Sequence, residues 1–389
     1  MKIRFTNAGL ILPGRLLQNG AVIINEQGKI DFVGEMKDLP AWDGSTIDLK
    51  GKYLSPGFID IHVHGGNGVT FGDGDLAVET AKYAGWVVSR GVTGYLMSVA
   101  ERTPELLENM IKGYVEVFAN PPEGAETLGL HLEGPFLNVE KKGAFNPTWL
   151  RSPDLKEMRA YIQAGKGWIR QMTLAPEMPG ADEVAKMCKE AGILVAMGHT
   201  NTSFEHAAEV LKGDFEHVTH TFNAQSGFSH RAPGVFGAIL LSEGVSAELI
   251  ADTVHVHPGA MRLLLKCLGS ERIVSITDAI TGAGFADGEY HVAGFDVHVR
   301  DGRATLANGT LAGSIATMDR CVANLIKHVG LSLEEAVRTA SLNPARTIGM
   351  ADRLGSIETG KDASLTVFDD SINVQLTMVK GHIVYNELN

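Results

Sequence analysis

GFIDIHVH, residues 57–64, decides the fold: a continuous apolar run that ends in His62 and His64 and is followed at once by Gly65 and Gly66. A run without polar alternation fits a strand covered on both faces, as in a parallel sheet. Seven similar runs follow: GVTGYLMSV (91–99), TLGLHLEG (127–134), IRQMTLAPE (169–177), ILVAMGHT (193–200), HVTHTFN (217–223), SAELIADTVHV (246–256) and RIVSITDA (272–279). Helical patterns lie between most of them, among them LAVETAKYAGWVVSR, PELLENMIKGYVEVFA and ADEVAKMCKEAG. Eight strand–helix units predict an α/β fold, a TIM-like (β/α)8 barrel. A Gly-rich insert at 282–313 then reads as a hairpin, followed by helices near 315–329 and 333–341.

Both ends of the chain read differently. IRFTNAGLI, AVIINEQGKIDFVG and STIDLKGKYL near the start are short strands broken by turns, as are LGSIETGKDASLTVFDD and INVQLTMVKGHIVYNE near the end. Pairing them predicts a small β-sandwich domain built from both termini. The expected division is 1–54 and 346–389 for that domain, and 55–345 for the barrel.

Composition narrows the function. The 389 residues are 44% hydrophobic and 21% charged, which is globular usage. Lys+Arg is 34 and Asp+Glu 46, so the net charge is 34 − 46 = −12. A chain this acidic, with no basic run, is poorly suited to nucleic acid or an anionic membrane. No apolar run is long enough for a membrane span, and the N-terminus carries no signal-peptide pattern. Cys188, Cys267 and Cys321 are scattered and odd in number, which points to a reducing, cytoplasmic compartment.

The 14 histidines are the informative count. His62 and His64 are two apart on a strand, so their side chains share a face, ~7 Å apart at the Cα level. That suits two imidazoles on one metal ion, although HxH alone also fits two half-exposed polar residues. The third run carries His131 and Glu133 at its end, the fifth His199, the sixth His217 and His220, the seventh His255 and His257, and the eighth Asp278. In a βα barrel these ends converge on one face. Glu133 closes an apolar strand, where a carboxylate is costly unless paired or metal-bound. His199 and His220 lie about one βα unit apart. Asp278 is placed as the proton shuttle of a metal-assisted hydrolase. Counted by strand alternation from His220, His217 faces the helix layer and is structural. No lysine ends the third or fourth strand, so a carboxylated-lysine bridge has no candidate.

PGFIDIHVHG (56–65) resembles the metal signature of the amidohydrolase superfamily. HLEGPFL (131–137), LAPE (174–177), MGHT (197–200), THTFNA (219–224), HRAPG (230–234), SITDA (275–279), AGSIATMD (312–319) and LNPAR (342–346) resemble, in order and spacing, the N-acetylglucosamine-6-phosphate deacetylase family. The resemblance runs nearly the whole chain. It implies a homodimeric barrel enzyme acting on an amino-sugar phosphate. Glu133, His199 and His220 would hold one divalent ion, Zn or Fe, and His62 and His64 a second, bridged by Glu133. Asp278 would be the acid/base, His255, Asn223 and Ala224 substrate contacts, and Arg231 the phosphate ligand across a dimer interface. Two positions depart from the family pattern. Phe145 stands where a substrate-facing His is expected, and Gln225 where Met is usual; both fall in loops expected to meet the sugar. They leave N-acetylgalactosamine 6-phosphate as the competing substrate.

Overall fold

A computed structural model describes residues 2–99, 103–292, 295–300, 302–306 and 313–388. Every apolar run contains a strand: β1 (Phe58–Val63), β2 (Val92–Val99), β3 (Glu126–Glu133), β4 (Ile169–Leu174), β5 (Leu194–Met197), β6 (His217–Val218), β7 (Ser246–Ile250) and β8 (Ile273–Ile276). They pair in sequence order into one eight-stranded parallel sheet. The ring closes just past the strand ends. There the Asp278 amide donates to the His62 carbonyl, and the His64 amide to the Ala279 carbonyl, each at 2.9 Å.

The connecting helices start where the sequence supplies caps. Asp75 accepts from the amides of Ala77 and Val78 at the head of Leu76–Val87. Thr103 caps Pro104–Ala119, with Pro104 in the first turn, where its missing N–H costs nothing. Ser332 and Glu335 form a reciprocal capping box on Leu333–Thr339. The helix expected near 315–329 is Met318–Asn324, prolonged by a wider turn at Leu325–Val329. Tyr83, Tyr95, Tyr114 and Phe58 are fully buried in the layer between helices and sheet. Each such side chain contributes roughly 1.5–3 kcal/mol by leaving water. β2 is buried along its whole length, which is why its sequence shows no polar alternation.

The two ends of the chain form a second eight-stranded sheet. It joins at Leu365–Phe368, which pairs antiparallel with Tyr53–Pro56, and again at a bridge between Lys29 and Asp362. The sheet thereby encloses its own apolar cluster, with Ile3, Phe5, Leu10 and Ile24 against Leu365, Val367, Leu376 and Met378. Arg353 pairs with Glu126 at the start of β3 and with Asp362, tying this sheet to the barrel.

The Gly-rich insert is a three-stranded antiparallel sheet, Gly288–Val292, Phe295–Arg300 and Arg303–Leu306, rather than a single hairpin. Residues 293, 294, 301 and 307–312 of the insert, including Ala312 of the AGSIATMD stretch, lie outside the described residues.

Candidate active site

Parallel strands deliver their C-terminal ends to one side of a barrel, so the residues closing β1, β3, β5, β6 and β8 meet there. Glu133 is at the centre, 2% exposed. Its Oε1 lies 3.1 Å from His199 Nε2 and 3.0 Å from His220 Nε2. Its Oε2 lies 2.9 Å from His64 Nε2 and 3.4 Å from His62 Nε2. The His199 and His220 nitrogens are 3.0 Å apart, those of His62 and His64 3.3 Å. Asp278 Oδ1 is 3.5 Å from the Nε2 of both His62 and His64. The donor atoms therefore fall into two groups, His62–His64–Asp278 and Glu133–His199–His220.

Cations fit this arrangement better than protons do. A ring nitrogen carries one hydrogen at most, yet His220 Nε2 faces a carboxylate oxygen and a second ring nitrogen, both at 3.0 Å. A divalent ion accepts several such lone pairs at once. The electrostatics agree. Burial works against charge on His62, but Glu133, Glu248 and Asp278 together hold its pKa well above the usual range. Burial also works against ionisation of Glu133, but His62 and the bonds from His199 and His220 keep its carboxyl well below the usual range. Three carboxylates thus surround a buried imidazole cluster.

The backbone is bent to make this possible. His199, His220 and Asp278 have φ of 47°, 25° and 48°, a region non-glycine residues rarely adopt and which surrounding structure must enforce. His199 is held by the Asn138 amide on its carbonyl at 3.0 Å. Its Nδ1 donates to the Lys141 carbonyl at 2.7 Å, which leaves the Nε2 lone pair facing the centre. Gly65 follows His64 at φ 155°, and a Cβ there would sit 2.0 Å from the Val69 carbonyl oxygen. The glycine directly after HVH is therefore a steric requirement.

His255, past β7, bonds through Nδ1 to Asp252 Oδ2 at 2.6 Å. Asp252 Oδ1 accepts the Val254 and His255 amides at 2.8 Å. Burial disfavours the protonated ring, but the bond to Asp252 raises the pKa of His255. Asn223 and Ala224 are half-buried in the loop after β6, where Ala224 accepts the Thr200 amide at 3.1 Å. Arg231 is exposed further along that loop, outside both donor groups. Phe145 packs on the ring of His199, with centroids 4.8 Å apart.

One expectation is corrected. His217 does not face the helix layer. It is fully buried, with Nε2 3.1 Å from Glu248 Oε1 and Nδ1 2.6 Å from Ser246 Oγ. Alternation cannot be counted back from His220, because β6 stops at Val218 and the chain then turns through His220's positive φ. The buried side chain of Gln225 donates to the Thr219 carbonyl at 2.9 Å and accepts the Phe222 amide at 3.3 Å, bracing its own loop. His131 belongs to neither donor group and is held between Ser98 and Thr173 at 2.9 and 2.8 Å. Sequence reasoning also passed over Asp252, Glu177 and Glu248. Glu177, in LAPE, accepts Asn138 Nδ2 and the Asn201 amide, both at 2.7 Å, and fixes the turn that carries His199.

The model of the amidohydrolase family matches residues 53–384. The N-acetylglucosamine-6-phosphate deacetylase of Bacillus subtilis (strain 168) is 33% identical over 379 residues, covering 97% of this chain and 95% of that protein. The N-acetylgalactosamine-6-phosphate deacetylase of Escherichia coli O157:H7 is 34% identical over 339 residues, 87% of this chain and 89% of that one. Among solved structures, N-acetylglucosamine-6-phosphate deacetylase from Pasteurella multocida superposes with a TM-score of 0.92 at 33% identity, covering 99% of this chain and 100% of that one.

Proposed function

Because the chain belongs to the amidohydrolase family, we propose that it is a metal-dependent deacetylase. It hydrolyses the acetamide of N-acetylglucosamine 6-phosphate to glucosamine 6-phosphate and acetate, in amino-sugar catabolism. The observation that carries this reading is Glu133, which presents one oxygen to each of two histidine pairs beside Asp278.

In this reading Glu133, His199 and His220 would hold one divalent ion, and His62 and His64, beside Asp278 and the second oxygen of Glu133, would hold another. Imidazole and carboxylate donors suit Zn or Fe. Bound ions of this kind supply Lewis acidity, polarising a carbonyl and lowering the pKa of water from ~15.7 towards ~7. The chain does the rest. Asp278, 21% exposed at its side chain, takes the proton from the attacking water and returns it to the departing sugar amine. His255, oriented by Asp252, donates to the oxygen on which charge develops. Asn223 and Ala224 line the sugar site, and Arg231 binds the 6-phosphate across a homodimer interface.

The further assignments are also proposals. The division into 1–54 with 346–389, and 55–345, is supported by the separate apolar cluster of the terminal sheet. A cytoplasmic location is supported by three free cysteines. Among the described residues no helix is long and apolar enough to cross a membrane.

Two measurements test substrate identity. In a panel of N-acyl sugars, release of free amine should be fastest with N-acetylglucosamine 6-phosphate and slow without the phosphate. Faster turnover of N-acetylgalactosamine 6-phosphate would reassign the sugar; Phe145 on His199 is where its pocket departs from the family pattern. Arg231→Ala should raise KM for the phosphorylated sugar about ten- to a hundredfold, the loss of a charge-assisted contact of ~1.5–3 kcal/mol. Slow turnover of the unphosphorylated sugar should stay nearly unchanged. Equal losses on both sugars would assign Arg231 to the fold or the dimer instead.

A further inference from the structure

Glu248 lies in the middle of β7, fully buried, and the proposed chemistry does not use it. Its carboxylate is nonetheless the meeting point of four groups from three other parts of the barrel. Oε2 is 2.8 Å from His62 Nδ1 and accepts the backbone amide of His220 at 2.9 Å. Oε1 accepts Gln171 Nε2 at 2.8 Å and lies 3.1 Å from His217 Nε2. One oxygen therefore touches a member of each donor group: the ring of His62 from the first and the backbone of His220 from the second.

We infer that Glu248 is a positioning residue that makes the His62–His64–Asp278 site able to hold its own ion. The inference rests on the two-ion reading above. A carboxylate on Nδ1 fixes the ring tautomer, orients the ring and raises the basicity of the nitrogen left for the metal. His62 has that support from Glu248, whereas His199 takes a backbone carbonyl instead. His220 Nδ1 has no partner among the described residues. What Glu248 gives His220 is a backbone bond at the residue whose φ is 25°. That bond holds the turn and leaves the ring's donor chemistry alone. The two sites should therefore respond unequally to loss of the charge.

Glu248→Gln separates the roles because it keeps the shape. Its amide oxygen can still accept from His62 and His220. On the other side, Gln171 can turn its amide over, since its Oε1 is buried without a partner among the described residues. His217 can shift its proton to Nδ1, facing Ser246 Oγ. The fold is thus preserved while the negative charge behind His62 is removed.

The test is titration of chelator-stripped full-length protein with Co2+, read by calorimetry and by visible absorption, alongside melting of the metal-free protein. Wild type should bind two Co2+. Glu248→Gln should weaken one step about 10–100-fold, the range for partners behind a metal ligand, with a changed absorption band for that ion. The other step should stay within about threefold, and the metal-free melting temperature should be unchanged. Two steps like wild type would overturn the inference. So would equal weakening of both steps together with a lower metal-free melting temperature, which marks a merely structural residue. Failure of wild type itself to bind Co2+ would instead sink the two-ion reading on which the inference stands.

Discussion

Asp278→Asn is expected to lower kcat by about 10²–10⁴-fold, the usual contribution of a positioned general acid–base. Asparagine has the same shape and keeps an oxygen beside His62 and His64, but it cannot take up and return a proton. The ion held by Glu133, His199 and His220 involves no atom of Asp278 and should remain. KM for the sugar phosphate should change little. The measurement is steady-state kinetics paired with metal analysis of the same sample. Retained kcat would remove Asp278 from the proton path. Loss of the Glu133-centred ion along with activity would show that the residue acts on the metal centre instead.

Glu133→Ala is expected to abolish activity and to empty both ion sites, a larger effect than losing any one histidine. The reason is geometric: one oxygen serves His199 and His220, the other His62 and His64. Without it the imidazoles lose their shared anion in a largely buried site. His199→Ala should abolish activity too, but it removes a donor from one group only and should spare the ion at His62 and His64. Elemental analysis of the purified variants checks the contrast. Full ion content in Glu133→Ala would show that the carboxylate is not a bridge.

Much of the site was legible because parallel strands write their burial into sequence. β1 and β2 are covered on both faces and read as unbroken apolar runs. The polar residue that ends such a run stands out because it cannot stay buried without a partner. Glu133, His199, His220 and Asp278 were found that way, and they do converge. His217 was misplaced because alternation holds only while the chain stays extended, and β6 is two residues long before the backbone turns over. Those positive φ values are enforced by tertiary contacts, such as the Asn138 amide on His199, which no local pattern records. The place of Gln225 in a loop beside the site does not say that its side chain braces that loop. Glu248 did leave a signal. A lone acid inside SAELI has no sequence-local partner, and that cost should have prompted a search for distant ones. Asp252 was hidden by the opposite circumstance, since an acid at a strand end beside a histidine looks like any capping residue.

The most direct test of the account is acetate release from N-acetylglucosamine 6-phosphate by the purified protein, before chelation, after it and after return of Zn2+ or Fe2+. Acetate and free amine should appear in equal amounts, with turnover lost on chelation and recovered when the ion is restored. No amine released from any phosphorylated N-acetyl amino sugar, or full activity in the metal-free sample, would contradict it.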